Sequence, residues 1–141
     1  MYRRRKSARS EYREQEGQRV RESASLADRF PQLKTLTVAL DYKCPDDALK
    51  ARRLNYVVNL NHAKSVFRFN CPNDECVRGD FDLTEQLANA VARRRTTLTG
   101  EIHCPGWRSK TTIGTVPCPN SLRYKLSLGY WLRRASRKKI D

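Results

Sequence analysis

The sequence of 141 residues contains no apolar run close to the roughly 20 residues that a membrane-spanning helix requires. Its start, Met-Tyr-Arg-Arg-Arg-Lys, lacks the apolar segment of a secretory signal. An Arg-rich start is also found in organellar transit peptides, but the glutamates that follow it argue against one. We therefore expect a cytoplasmic protein, in a reducing compartment and with no membrane partner.

The sequence also lacks the motifs by which common enzyme classes are recognised. It has no phosphate-binding glycine loop, no serine or cysteine nucleophile motif and no His-Glu-x-x-His pair. The His-x-Glu with a later Cys-x-x-Cys that marks zinc deaminases is absent as well. These absences predict a non-catalytic protein without a small-molecule substrate. An enzyme whose site assembles from distant residues stays an alternative.

Negative charge is scarce, because 15 acidic residues face 29 lysines and arginines and leave a formal charge of +14. Such an excess predicts a polyanionic partner, most often nucleic acid or a nucleoprotein complex. An acidic protein surface is the second kind of partner that this charge would attract. A protein-interaction module is therefore the alternative to a nucleic-acid-binding protein.

The basic residues are densest at the two ends of the chain. Residues 1–30 have few aliphatic side chains and are predicted to form a disordered basic arm, with at most a fraying helix over residues 10–23. Residues 31–131 hold the predicted folded domain, and residues 132–141 form a flexible basic tail. Predicted phosphate contacts at the two ends are Arg3, Arg4, Arg5, Lys6, Arg133, Arg134, Lys138 and Lys139.

Histidine is rare and cysteine is sparse, yet four of the five cysteines fall between Phe69 and Tyr130. Cys71 and Cys76 have four residues between them, which suits a local pair of zinc ligands, whereas Cys104 and Cys118 need a longer loop that folds back. Prolines after three of these cysteines favour tight turns. The pattern predicts a closed, structural Zn²⁺ site with four thiolate ligands and no bound water.

The alternatives for these cysteines are unliganded buried thiols and disulfides, and the odd cysteine count disfavours disulfides. Cys44 and His103 are possible substitute ligands. The C-P-x-x-x-C…C…C arrangement is similar to zinc ribbons in general over about residues 69–130, although its second half is longer than the usual knuckle.

Five stretches alternate between apolar and polar residues, which is typical of strands with one buried face. They cover residues 36–42, 54–60, 65–70, 97–104 and 122–130. In the second stretch, Leu54, Tyr56, Val58 and Leu60 are predicted to face the core. Residues 61–64 are predicted to connect the second and third strands as a hairpin loop.

Apolar residues at helical spacing predict a helix over residues 83–95, with Asp82 and Glu85 as a variant capping box. The basic triplet 93–95 suits the negative end of that helix and equally suits phosphate contacts. The order of elements predicts an α+β fold in which one helix packs on a small antiparallel sheet of about five strands, with a zinc-ribbon-like metal site.

Aromatic and basic residues occur together after Cys104 and along the last strand. Trp107 is a candidate for stacking on an unpaired base, with Arg108 and Lys110 on phosphates, and the alternative is that Trp107 covers the metal site or the core. Arg123 and Lys125 make the outer face of the last strand basic. RNA is favoured slightly over DNA because neither a basic reading helix nor a heptad is present.

Overall fold

The computed structural model of the chain describes residues 8–45, 49–73, 76–110 and 114–133. These residues contain three helices: α1 (Ala8–Glu22), α2 (Leu26–Arg29) and α3 (Thr84–Ala92). They also contain nine strands: β1 (Leu33–Lys43), β2 (Arg52–Val57), β3 (Arg68–Asn70), β4 (Cys76–Val77), β5 (Asp80–Asp82), β6 (Thr97–His103), β7 (Trp107–Lys110), β8 (Gly114–Pro117) and β9 (Ser121–Tyr130).

The largest sheet has the strand order β2-β1-β9-β6 and is antiparallel throughout. Leu36, Val38 and Leu40 of β1 are buried and lie opposite Leu128, Leu126 and Tyr124 of β9, which are buried as well. One face of these central strands therefore forms the core, as their period-two alternation predicts. The predicted α+β class and antiparallel sheet are confirmed.

Helix α3 buries Leu87, Ala90 and Val91, which belong to the same apolar core as the inner face of the large sheet. The predicted capping box is wrong, because Leu83 occupies the N-cap position and makes no side-chain cap bond. Asp82 instead accepts a hydrogen bond from the backbone N–H of Thr84 at 2.9 Å, which is a turn that precedes the helix.

The predicted single sheet of about five strands is wrong in its count and in its pairing. The strands form the four-stranded sheet, a two-stranded sheet of β3 and β5, and a three-stranded sheet with the order β4-β7-β8. Residues 60–64 do not link a hairpin: backbone N–H groups of α2 donate to the carbonyls of Leu60 and Ala63. The segment that follows β2 therefore packs on α2, and β3 pairs elsewhere.

The predicted inward side of β2 does lie on the core face, because Leu54 and Tyr56 are opposite the buried Leu40 and Val38 of β1, but this side is only partly covered. Tyr56 is 41% exposed and Leu54 is exposed to a similar degree, while Val58 just beyond the strand is buried and Leu60 is half-buried. The physical reason is that β2 lies at the edge of the sheet, where β1 is its one neighbouring strand among the described residues. Alternation reports the pleat of a strand and not whether a layer covers its apolar side.

Residues 8–22 form α1, close to the fraying helix expected over residues 10–23, but they differ from a disordered arm because they contact the rest of the domain. Tyr12 Oη donates a 2.6 Å hydrogen bond to Asp80, and Arg19 lies 3.0 Å from Asp82. Burial, together with the hydrogen bond to Asp80, raises the pKa of Tyr12. The helix buries no residue of its own, so polar contacts attach it to β5.

A nearly buried arginine lies beneath this attachment. The guanidinium of Arg68 is 3.0 Å from Asp80 and 3.5 Å from Glu16 of α1. The hydrogen bond from Arg19 and the charge of Arg68 lower the pKa of Glu16, although burial opposes them. A buried cation with two carboxylate partners fixes the position of α1 on the β3–β5 sheet.

Candidate metal centre

The four cysteines of the predicted metal site lie together and are all buried. One ligand atom from each of Cys71, Cys76, Cys104 and Cys118 lies within 4.8 Å of every other. The Sγ atoms of Cys76 and Cys104 are 3.5 Å apart, and those of Cys71 and Cys118 are 3.8 Å apart. Four sulfurs placed tetrahedrally at about 2.3 Å from a zinc ion would have mutual distances of about 3.8 Å. The cluster can therefore hold a metal ion.

The first pair of cysteines is positioned by a turn between β3 and β4. The backbone N–H of Cys76 donates to the carbonyl of Asn73 at 3.2 Å, and that of Cys71 donates to the carbonyl of Gly79 at 3.2 Å. Arg78 has a positive φ of 59°, a left-handed conformation that non-glycine residues rarely adopt. This turn brings the backbone at Gly79 back alongside Cys71, only three residues after Cys76.

The second pair lies at the base of a β-hairpin formed by β7 and β8, where the sequence predicts a loop. Trp107 pairs with Pro117 in this hairpin. The backbone N–H of Cys118 donates to Gly106 at 3.0 Å, and that of Cys104 donates to Asn120 at 2.9 Å. Antiparallel pairing therefore brings Cys104 and Cys118 together despite the thirteen residues between them.

Two glycines pack directly against the sulfurs. A Cβ atom added to Gly106 would lie 2.5 Å from both Cys76 Sγ and the carbonyl of Val77, and one added to Gly79 would lie 2.9 Å from Cys104 Sγ. Side chains therefore do not fit at either position without moving a ligand. The sequence analysis did not identify either glycine as part of the site, although a glycine two or three positions after a cysteine was a visible signal.

Two N–H groups point at sulfurs of the cluster. Asn120 Nδ2 lies 3.3 Å from Cys71 Sγ, and the backbone N–H of Gly106 lies 3.4 Å from Cys104 Sγ. Asn120 is fully buried, and its Oδ1 has no hydrogen-bond partner among the described residues. Such donors stabilise negative charge on sulfur and orient the ligands. Sequence reasoning did not identify Asn120 as part of the site.

Three of these thiols have shifted pKa values in the absence of a cation. The hydrogen bond from Cys104 and that from Asn120 lower the pKa of Cys71 to about 5, against burial. Burial and the neighbouring charge of Cys71 raise the pKa of Cys76 to about 12, and the pKa of Cys104 is raised as well. One buried thiolate is thus stabilised at the expense of its neighbours, and full deprotonation of the cluster requires a bound cation.

The two substitute ligands proposed from sequence lie outside the four-sulfur group. Cys44 is buried at the end of β1, and His103 is exposed with its Nε2 3.8 Å from Glu101. The alternation along β6 places His103 on the face opposite the cluster, as its neighbour Cys104 enters the site.

Only some of the residues predicted to contact nucleic acid belong to the part of the chain that the structure describes. Arg123 lies 3.3 Å from Glu101, so its charge is partly balanced, while Lys125 and Arg133 are exposed. Trp107 and Arg108 are half-buried on β7, to which Lys110 also belongs. Seven predicted contacts lie outside the described residues: Arg3, Arg4, Arg5, Lys6, Arg134, Lys138 and Lys139.

Two aromatic rings near the cluster, one from helix α1 and one from strand β7, lie beside the same arginine. The guanidinium of Arg78 is 5.8 Å from the centre of the Tyr12 ring and 6.0 Å from that of Trp107. Trp107 is therefore partly covered by a cation instead of closing the core. Next to Cys71, a cavity of about 440 Å³ has Arg13, Lys50 and Arg52 among its lining residues.

The chain matches no protein-family model, no curated protein and no solved structure. None of the helices in the described ranges is long and apolar enough to cross a membrane. The candidate site is thus defined by its own geometry.

Proposed function

We propose that Cys71, Cys76, Cys104 and Cys118 bind one structural Zn²⁺ ion, which makes residues 71–118 a zinc-ribbon-like unit. Four thiolates are a soft ligand set that favours zinc over magnesium or calcium. The two glycines and the two N–H donors around the sulfurs support this proposal, because they fit a compact charged cluster. When bound, the ion supplies a cross-link between β3, β4 and the β7–β8 hairpin, and no ligand position remains for substrate water.

We further propose that the protein binds nucleic acid without catalysis, with RNA favoured over DNA, alone or in a nucleoprotein complex. The observation that carries this proposal is the charge of +14 on a chain of 141 residues. Phosphate contacts by lysine and arginine supply affinity that does not depend on sequence. We also propose a cytoplasmic, reducing location, because the four thiolate ligands of the metal site must stay unoxidised.

The test of the metal proposal is the metal content of the purified protein, measured by elemental mass spectrometry. We expect one zinc per chain, released by a chelator together with loss of the folded signal in circular dichroism. One iron per chain in place of zinc would support the four-cysteine metal site but contradict its assignment to zinc, since four thiolates also suit iron. Full folding without any metal would overturn the proposal.

The test of the nucleic-acid proposal is binding of nuclease-treated protein to structured RNA, single-stranded DNA and duplex DNA over a series of salt concentrations. We expect structured RNA to bind most tightly at physiological salt. The slope of log K against log[salt] counts the phosphate contacts, at about 0.7 per contact for single strands. Weak, equal binding of all three that disappears together as salt rises would contradict the proposal.

The second candidate function is a protein-interaction module, and it is favoured by apolar residues at the free edge of the large sheet. Val57 is 73% exposed, and Leu54 and Tyr56 lie beside it on β2. An exposed edge strand with apolar side chains can pair with a strand of another chain. Competition decides between the candidates: excess RNA displaces a partner that uses the basic surface and leaves one bound to β2 in place.

A further inference from the structure

A tryptophan that is held in place and exposed directly follows strand β9. Trp131 is 56% exposed, and its backbone N–H donates a 3.0 Å hydrogen bond to the carbonyl of Gln32. The ammonium group of Lys34 lies 5.1 Å from the centre of the indole ring. A large apolar ring is therefore presented to solvent from the end of a rigid sheet, beside a cation.

The C-terminus of α3 supplies a second cation through a strained residue. Arg94 has a φ of 51°, its N–H donates to Val91 and the N–H of Arg95 donates to Ala90, which together form a Schellman ending. Glycine is the usual residue at this left-handed position, and any other residue costs about 1 kcal/mol. An arginine at a position that favours glycine points to a role for its side chain.

The side chain of Arg94 holds the end of β9. Its Nη2 donates a 3.1 Å hydrogen bond to the carbonyl of Trp131, and its guanidinium lies 4.6 Å from the centre of the Tyr130 ring. Tyr130 Oη in turn donates to the carbonyl of Arg95 at 2.7 Å. Lys34 therefore lies by the exposed indole, Arg94 is bonded to the backbone of the same residue, and the exposed Arg133 follows two positions later in the chain.

We propose that Trp131 is a stacking platform for an unpaired nucleobase, with Lys34, Arg94 and Arg133 beside it for the adjoining phosphates. The proposal rests on the proposed nucleic-acid function and specifies single-stranded segments as the ligand. An exposed aromatic ring beside a cation combines the two interactions that bind single strands, stacking and phosphate attraction. An apolar protein partner fits less well, because covering the indole would also desolvate the cations.

The experiment uses the full chain and fluorescein-labelled single-stranded RNA and DNA of about 12 nucleotides, which is within the site sizes of small single-strand-binding folds. Trp131→Ala is expected to raise the Kd for single strands by about 5-fold to 100-fold, which is the range for loss of one stacked base. Trp131→Tyr is expected to restore most of the affinity. Binding to a duplex of the same length is expected to change little, because its bases are already stacked.

Leu132→Ala is the matched control, since Leu132 is 93% exposed, is apolar and adjoins Trp131. It is expected to leave the Kd unchanged. In a Trp107→Phe variant, Trp131 is the one remaining tryptophan, and its fluorescence is expected to be quenched on addition of unlabelled oligouridylate. This second readout reports direct contact with a base, which a purely structural role of Trp131 would not produce.

The outcomes separate this proposal from the function on which it rests. If the wild-type protein binds single strands and Trp131→Ala binds them equally well, the platform is wrong and the nucleic-acid function stands. If the wild-type protein binds no nucleic acid at physiological salt, both are overturned. Equal loss of affinity in Trp131→Ala and Trp131→Tyr, without quenching, would also overturn the platform, because it would indicate a steric or structural effect.

Discussion

The Sγ atoms of Cys76 and Cys104 lie 3.5 Å apart, although the two residues are 28 positions apart in the chain. The pairing of β4 with β7 brings them together, because Cys76 lies opposite Arg108, just beyond the turn that carries Cys104. The sheet that makes this approach possible has only short strands. The cluster and this sheet therefore stabilise one another, and neither is expected to persist alone.

Replacing one ligand is expected to abolish metal binding. In Cys71→Ser the cluster loses a thiol whose pKa is lowered in the folded protein, and the protein should contain no zinc and lose its folded structure around the cluster. Structural zinc contributes an apparent free energy of about 10 kcal/mol or more in small domains, which is comparable to the whole stability of a domain. Metal content and thermal melting measure the effect. Cys44→Ala is the control, because Cys44 is buried outside the group, and it should retain zinc.

A single methyl group beside the sulfurs is expected to weaken the site without removing a ligand. In Gly106→Ala the new Cβ would meet Cys76 Sγ and the carbonyl of Val77 at 2.5 Å, so the hairpin must shift away. We expect at least a 10-fold loss of zinc affinity, measured by competition with a chromogenic chelator, as for other changes next to metal ligands. Gly17→Ala is the matched control. It meets only the end of the Arg21 side chain in helix α1 and should leave zinc affinity unchanged.

The attachment of α1 is expected to weaken at alkaline pH. Because the pKa of Tyr12 is raised in the folded protein, its proton stabilises the folded state fully below the unfolded value of about 10, and this contribution is lost as pH rises through the folded value. Tyr12→Phe removes the bond to Asp80 and should cost about 1 kcal/mol at neutral pH. The difference in Tm between wild type and Tyr12→Phe should shrink above about pH 10. A difference that stays constant to pH 11 would contradict the raised pKa.

Replacing Arg94 by glycine is expected to lower the affinity for single-stranded RNA with little change in stability. Arg94→Gly relieves the left-handed strain, a gain of about 1 kcal/mol, and loses the contacts to Tyr130 and the carbonyl of Trp131, a loss of similar size. The Tm should therefore change little, while affinity for single-stranded RNA falls because the platform loses a cation and its anchor. Arg93→Ala removes one neighbouring charge without touching the anchor. If both variants lose affinity equally, Arg94 acts only through its charge.

The sequence was sufficient to predict the members of the metal cluster but not how they meet. Spacing and the prolines pointed to the four cysteines, since ligand pairs are a local property. The hairpin between Cys104 and Cys118 escaped prediction because Trp107–Lys110 is short and does not alternate. Its strands form because they pair with each other and with β4, which no local pattern reveals.

Contacts between distant residues explain the other differences. The composition of residues 8–22 predicts no more than a fraying helix, and α1 has no buried residue. Its partners, however, lie far along the chain: Tyr12 and Asp80 are 68 positions apart. The predicted burial of the apolar side of β2 is incomplete for the converse reason. An apolar pattern needs a covering layer, and only the assembled fold supplies it.

Cys104 and Cys118 lie at the base of a hairpin, so the geometry of the metal site does not fix the number of residues between them in the sequence. Adding or deleting one residue in each of β7 and β8 keeps the two strands paired and leaves the base of the hairpin unchanged. Across an evolutionary lineage the interval between these cysteines is therefore expected to vary in steps of two. A search pattern that fixes Cys-Pro-Gly and Pro-Cys-Pro-Asn and leaves the gap open will recognise such descendants, whereas one with a rigid gap will pass over them.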